Sequence, residues 1–487
     1  MMNRFLPLIA CLMVSLVAGC MVGPNYERPA AITAPVFKEA PTDAAPANDG
    51  WKPGQPSDQA LKGDWWRVYQ DPQLDALEAQ VDDANQTLKI AEQTFRSARA
   101  AIGVARSNEV PTLGAGTRAG SVRQSANEPY FLTNLANNGS GDFSLSLDLN
   151  YEIDLWGRIR RGVTYARAEA QASAADMESA RLSLHAELAT DYFGLRSADG
   201  LAQLLDDTIK AYQDALQLTK DRFDGGLAES SDVTQAQTQL EQARVQRTDV
   251  EVQRTQFEHA IAVLTGKPPA SVTIAPNPIN IQPPKMPDIP ALLPSALLER
   301  RPDIAAEERR MAAANEQIGI AKAAYYPSLS LGGLAGMEST SPQSWFNWPS
   351  RFWAAGPSIS ESLFDGGRRR SLSEQARARY DAAVATYRQT TLQAFDQVED
   401  NFAALRILQT EEEQQHRATA AALESLSTFE ARYEGGLELY LEVVTSQTVA
   451  LANQRNDIDL MRRQLDASVL LIKAVGGGWN VQQLPKL

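Results

Sequence analysis

The residues best placed to do chemistry are carboxylates gathered around two glycine pairs. Asp224, Glu229 and Asp232 surround the stretch Arg222-Phe223-Asp224-Gly225-Gly226-Leu227, and Glu434, Glu438 and Glu442 surround Arg432-Tyr433-Glu434-Gly435-Gly436-Leu437. Acids crowded together repel one another and attract cations. Each acid taken singly also suits an ordinary helix start, where the dipole favours negative charge. Catalysis finds no comparable set. His185, His259 and His416 lie far apart within helical runs, no glycine loop with lysine is spaced for phosphate, and no His pair has zinc spacing.

Cysteine offers one modification site. Arg4 and the apolar run from Phe5 to Val17 read as a secretory signal peptide over residues 1–19, which removes Cys11 from the mature chain. Val17-Ala18-Gly19-Cys20 resembles the lipobox of bacterial lipoproteins and implies a covalent lipid on Cys20, with no other cofactor. An ordinary signal peptide followed by a chance cysteine is the alternative. Met21 in the next position, rather than Asp, resembles lipoproteins sorted onward to the outer membrane. The mature chain then keeps no thiol for a disulfide, a zinc cluster or a nucleophile. A net charge of -14 argues against nucleic acid as a partner.

Past the signal peptide no apolar run approaches the ~20 residues of a spanning helix, so any membrane crossing falls to strands. One stretch has the pattern. From Phe143 to Leu155 apolar residues (Phe143, Leu145, Leu147, Leu149, Tyr151, Ile153, Leu155) alternate with polar ones (Ser144, Ser146, Asp148, Asn150, Glu152, Asp154), the period of a strand with one greasy and one wet face. A half-buried strand of an antiparallel sandwich is the plain reading of such alternation. Here the length and the signal peptide favour a tilted transmembrane strand with Asp148, Asn150, Glu152 and Asp154 facing a water-filled lumen. After Trp156-Gly157 a proline-free helical run extends from Arg158 to Phe223, roughly 100 Å at 1.5 Å per residue. Gly225 and Gly226 turn the chain, and the returning helix, which Ser230 or Ser231 can cap, spans Asp232 to Leu264.

The remaining segments repeat that plan. Residues 20–63 form an extended leader rich in Pro, Ala and Gly, laid along the outside of the body; next come a helical run from Leu74 to Glu109 and a weak strand from Thr112 to Arg123. Residues 64–267 make a first repeat and 268–294 a proline-rich linker, with a second repeat over 295–475 and a tail over 476–487. In the second repeat Ala296 to Ala324 is helical, Pro327 to Met337 and Pro357 to Phe364 are strands, and Arg368 to Tyr433 is the long helix. One constant shift pairs Arg222-to-Leu227 with Arg432-to-Leu437, Asp232 with Glu442, Gln237 with Gln447, and Gly157-Arg158 with Gly367-Arg368. The helices at Leu74–Glu109 and Asp232–Leu264 would be about 50 Å each, so end to end they match one long helix. The alanines at 166, 168, 170, 172, 174 and 175 favour close helix approach.

Four candidate strands in one chain leave two open edges, and unpaired backbone groups in hydrocarbon cost several kcal/mol each. Copies must associate: two give an eight-stranded barrel filled by side chains, three give one whose inside holds water. The residues here meet a known family. Arg301-Pro302-Asp303-Ile304, Ala314-Asn315-Glu316-Gln317-Ile318-Gly319-Ile320-Ala321-Lys322, Tyr326-Pro327-Ser328-Leu329, Gly23-Pro24-Asn25-Tyr26, Leu155-Trp156-Gly157-Arg158 and Leu363-to-Arg368 resemble the outer-membrane efflux proteins, the TolC and OprM-like channels, in their NodT-like lipoprotein branch. The resemblance implies an α+β membrane protein: a homotrimer with a twelve-stranded β-barrel in outer-membrane lipid, continued by an α-helical tunnel across the periplasm. It also implies docking on a periplasmic adaptor and an inner-membrane transporter of the resistance-nodulation-division type, which supplies the energy. The glycine turns, with Leu227 and Leu437, then lie at the periplasmic mouth, where an adaptor docks.

Within that frame Asp232 and Glu442, with Glu229 and Glu438 beside them, are the expected gate. Relatives often carry Leu-Asp-Ala where this chain has Val444-Thr445-Ser446, so Glu442 takes the role of the missing aspartate ring. Arg158, Arg160 and Arg161, and Arg368, Arg369 and Arg370, open the long helices, where cations are disfavoured; either lipid headgroups or acids on neighbouring elements reward them. Trp345, Phe346, Trp348, Phe352 and Trp353 suit an interfacial girdle or loop packing. A type I secretion duct and a lipid-anchored coiled-coil scaffold without a pore are the alternative functions.

Overall fold

The structure, a computed structural model, describes residues 21–30, 37–39, 63–123, 125, 139–280, 284–287, 294–479 and 481–487. The signal peptide and Cys20 lie outside the described residues. Asp71 starts α1 (Pro72–Ala84) by accepting from the Gln73 and Leu74 amides ahead of a proline at the first helical position. The helical run expected as far as Glu109 is broken at Asn85. Its extended backbone ends α1, and its side chain accepts from the Leu88 amide to open α2 (Gln86–Arg106).

Then come β1 (Thr112–Val122), β2 (Ser140–Ile153) and α3 (Arg158–Asp224), followed by α4 (Ser230–Leu264). The second half supplies α5 (Pro294–Arg300), α6 (Pro302–Ala323), β3 (Ser328–Ser339), β4 (Arg351–Ser360), α7 (Arg368–Glu434) and α8 (Tyr440–Ala474). Both long helices have 67 residues and both returning helices 35. The last strand lies earlier than its sequence suggests. Leu363 and Phe364 fall in the turn before α7, where Asp365-Gly366-Gly367 needs positive φ, and Pro357 sits inside β4. Within the chain β4 is the last strand of the sheet, where a missing N–H breaks no hydrogen bond to a second strand of the same chain.

The strands form one antiparallel sheet in the order β1-β2-β3-β4. Directly paired residues share a face, and the register gives one mainly apolar and one mainly polar face, with Leu334 opposite Asp148 and Arg351 opposite Met337 as exceptions. Leu147 pairs with Ala115 and Ala335, Tyr151 with Leu331, and Ala335 with Trp353. On the other face Asn150 pairs with Thr112, Glu152 with Ser330, and Ser330 with Ser358. Leu113, Leu145 and Leu147 remain exposed in the single chain at 70%, 40% and 50%, so the apolar face has no protein core above it. A strand of 14 residues is long enough to cross hydrocarbon at a tilt. None of the described helices is long and apolar enough to cross a membrane.

Below the sheet, α3 packs against α2 and α6 along its upper half and against α4 and α8 along its lower half, while α7 packs against α6 and α8. The half-length helices meet end to end: the Asn85 side chain donates to the Leu264 carbonyl at 2.8 Å, and the Arg301 guanidinium to the Ala474 carbonyl at 2.9 Å. The principal core lies at that level, built from Trp65, Tyr69, Leu188, Tyr192, Phe193 and Ile472. Each such burial contributes about 1.5–3 kcal/mol.

Candidate functional site

Two turns at the lower end of the helices carry the predicted gate residues. In the first, Gly226 has φ 70° and the amide of Leu227 donates back to Arg222 at 2.8 Å; in the second, Gly436 has φ 72° and Leu437 donates to Arg432 at 2.9 Å. Gly225 and Gly435 donate to the carbonyls of Asp221 and Ala431. Both helices therefore end in the same glycine motif, which satisfies their last carbonyls and leaves Leu227 and Leu437 pointing outward, 78% and 77% exposed. Above the turns Tyr212, Leu216, Ala236, Leu240, Tyr433, Tyr440 and Val443 form a small core joining the two halves. Burial pushes the Tyr212 and Tyr440 phenols up to about 12, so both stay neutral.

The four acids expected at the gate occupy different positions. Glu229 is the residue before α4 and Asp232 the third residue within it; their side chains and amides make a reciprocal capping box, with the Glu229 amide donating to Asp232 at 3.3 Å. Asp232 also lies close enough to Tyr440 for its charge to add to the rise in that phenol's pKa. Glu438 faces Arg432 at 3.6 Å. Glu442 is the third residue of α8 and half-buried, and the residue before that helix, Leu439, offers no capping side chain. Thr445 hydrogen-bonds the Leu441 carbonyl and stays exposed.

At the upper end the acids on the polar sheet face are drawn toward the arginines that open α3. Glu152 accepts from Arg158 at 2.9 and 2.6 Å, and Asp154, just beyond β2, accepts from the Arg160 amide and side chain. These pairs offset the unfavourable dipole at the helix start. Arg161 instead turns inward to Glu316 of α6 at 2.7 Å, both nearly fully buried. Arg369 pairs with Asp365 at 2.6 Å, while Arg368 and Arg370 are exposed. Acid pairing therefore accounts for four of the six arginines. Asp148 packs against Gly114 so closely that a Cβ there would touch its carboxylate at 2.6 Å, and Asn150 accepts from the Thr112 hydroxyl through its carbonyl.

Three features escape sequence reading. The leader does not only lie outside: the Val22 amide donates to the Trp156 carbonyl, and Arg161 donates to the Val22 and Pro24 carbonyls at 2.8 and 3.2 Å. Gly319 leaves the necessary space, since a Cβ there would collide with the guanidinium. His185, an unremarkable seam residue by sequence, is buried with its Nδ1 2.6 Å from Glu78, its Nε2 3.5 Å from Asp82 and its ring stacked 4.4 Å from Trp66. Asp71 joins Arg196 at 2.7 Å and the Tyr192 hydroxyl at 2.8 Å. Among the described residues no cluster of His, Cys, Asp and Glu is placed to hold a metal. Of the predicted girdle, Phe346, Trp348 and Trp353 are exposed, and Arg351 lies over the Trp348 ring at 3.3 Å.

Comparison with known proteins agrees with this layout. The sequence profile of the family described as outer membrane efflux protein matches residues 70–267 and 293–477. The chain is 31% identical over 477 residues to outer membrane protein OprJ of Pseudomonas aeruginosa, covering 97% of this chain and 96% of that one. It is 30% identical over 484 residues to the solvent efflux pump outer membrane protein SrpC of Pseudomonas putida, covering 99% of each. A crystal structure of a membrane protein from Pseudomonas aeruginosa superimposes with a TM-score of 0.84 at 30% identity, covering 94% of this chain and 100% of that one. The chain belongs to the outer membrane efflux protein family.

Proposed function

We propose that this outer-membrane component of an efflux pump works as a passive exit duct, three copies closing a twelve-stranded barrel above a helical tunnel. The observation that carries this reading is the amphipathic four-stranded sheet whose outer strands, β1 and β4, each keep one edge with no neighbour among the described residues of the chain. Unpaired edges cannot stand in hydrocarbon. Two copies would give eight strands with a filled interior, and three leave room for water. Asp148, Asn150, Glu152 and Asp154 then line the lumen. Cys20 carries the lipid that tethers the mature chain beside its own barrel.

At the lower end Asp232 and Glu442, with Glu229 and Glu438, form the constriction, and the exposed Leu227 and Leu437 on their glycine turns meet a periplasmic adaptor. That adaptor joins the duct to an inner-membrane transporter of the resistance-nodulation-division type, the source of energy. The test is deletion in cells stripped of other outer-membrane efflux channels, with susceptibility measured over antibiotics, organic solvents, dyes and metals. Loss of resistance restored by the intact gene supports the reading. Unchanged susceptibility to every class contradicts it.

A further inference from the structure

The end of the sheet farthest from the helices sorts its charges by face. The strands join the helical part through Thr112, Ile153, Ser328 and Ser360, so Val122, Ser140, Ser339 and Arg351 mark the far end. There the carboxylates of Asp142 and Glu338 stand on the polar face. Asp142 is opposite Gly120 and meets the Arg118 guanidinium at 3.4 Å, and Glu338 is opposite Ser144. Arg351 stands on the other face, opposite Met337, which is itself opposite Leu145. Its guanidinium carbon lies 3.3 Å from the centre of the Trp348 ring, and no carboxylate among the described residues pairs with it.

The segment between β3 and β4 is folded onto that apolar face. The Trp345 indole donates to the Met337 carbonyl at 3.3 Å, its ring packs against Phe143 with centroids 5.8 Å apart, and Phe346 stacks on it at 4.9 Å. Trp348 and Trp353 keep their rings open beside Arg351, 71% and 78% exposed. A cation on a lipid-facing strand costs little only near the interface, where its head reaches polar groups. Stacking on Trp348 fixes the plane of the guanidinium, whose N–H donors find no acceptor among the described residues. Such a planar fork matches the paired oxygens of a phosphate.

We propose that Arg351 and Trp348 hold the phosphate of a glycolipid in the leaflet facing the exterior. The guanidinium takes the phosphate oxygens, and the open faces of Trp348 and Trp353 lie against the sugar. The inference rests on the membrane-spanning sheet proposed above and assigns the lipid at its outer rim. Charge selects the class of ligand: a cation on the apolar face calls for an anion that arrives from the bilayer side, and both acids of this end stand on the opposite face. Acyl chains then run down over Leu145 and Leu147, which are 40% and 50% exposed. Free phosphate lacks those chains, and a glycerol headgroup lacks the flat ring that two tryptophans at headgroup level can cover.

The test titrates the purified full-length protein in dodecyl maltoside micelles with bis-phosphorylated lipid A, the same glycolipid stripped of both phosphates, phosphatidylglycerol, and inorganic phosphate. Bound molecules are counted by native mass spectrometry, and conductance in a planar bilayer shows which variants have folded. The protein is expected to bind the phosphorylated glycolipid roughly tenfold more tightly than the stripped form. R351Q and W348L should lose that preference, and R351K should keep part of it, since an ammonium lacks the planar fork. R118Q, a change on the polar face, should bind like the unsubstituted protein. A preference that survives in R351Q overturns the proposal, as does equal binding of the stripped glycolipid, of phosphatidylglycerol or of inorganic phosphate; with conductance intact, the duct reading stands. Protein that takes up none of the lipids and passes no current overturns both.

Discussion

Arg222, at the end of α3, caps the far half of the chain: its guanidinium donates to the carbonyls of Tyr433 and Glu434, the latter at 2.9 Å, and lies 4.6 Å from the centre of the Tyr433 ring. One residue of the first half thus satisfies the last carbonyls of α7 and ties the two tips together. Charge-assisted hydrogen bonds contribute about 1.5–3 kcal/mol when buried, and the half-exposed site reduces that to about 1 kcal/mol. R222A is expected to loosen the mouth and raise single-channel conductance, with R222K intermediate. Conductance equal to that of the unsubstituted protein would remove Arg222 from the constriction.

The acids proposed for the gate separate by their second duties. Asp232 helps to cap α4, whereas Glu442 caps nothing through its side chain. E442Q should therefore alter ion flow with little change in melting temperature, while D232N should also weaken the helix start by about 0.5–1 kcal/mol. Together they should weaken block by divalent cations roughly tenfold, equivalent to about 1.4 kcal/mol. Block unchanged in the double variant would exclude both from the constriction.

The buried pair of Arg161 and Glu316, 2.7 Å apart, ties α3 to α6 and holds the leader. Leaving one charge buried alone costs about 3–5 kcal/mol, whereas replacing both by apolar groups is often nearly neutral. R161L and E316L should each lower the melting temperature sharply and expose residues 21–30 to protease, and the R161L/E316L pair should regain most of the stability but not the protection. Protease resistance in the double variant would show that the leader is held by other contacts.

Proton uptake at the α1–α3 contact gives a pH signature. Burial opposes the charged His185 ring, but hydrogen bonds to Asp82 and Glu78 outweigh it and raise its pKa from 6.5 to about 9. Burial raises Glu78 to about 7 against the pull of His185. Asp75 adds to that rise, and Arg181 acts on Asp82. A raised pKa means that the folded state binds the proton more tightly, so the histidine's contribution is fully present below 6.5 and lost as pH climbs through about 9. The Glu78 effect runs the same way, from 4.5 to about 7. Melting temperature should fall between pH 6.5 and 9, and H185Q should flatten that decline. An equal slope in both proteins would refute the assignment.

Periodic features were legible in the sequence, and contacts between distant segments were not. The alternation at Phe143–Leu155 became β2, and the proline-free run from Arg158 became α3 to within a residue of its predicted end. The glycine turns were readable because positive φ at Gly226 and Gly436 is a local demand. Asn85 was missed because one polar residue inside an apolar period gives no sign that it caps a helix. Leu363-Phe364 suggested a longer β4 because an apolar pair looks alike in a strand and in a turn. The Arg161–Glu316 bolt and the His185–Glu78 contact join residues more than a hundred positions apart, and nothing in one chain's local pattern selects such partners.

Single-channel recording of the purified protein in a planar bilayer tests the account most directly. A water-filled lumen lined by Asp148, Asn150 and Glu152 predicts discrete conductance steps that favour cations. Assembled protein that inserts into the bilayer and passes no current would contradict it.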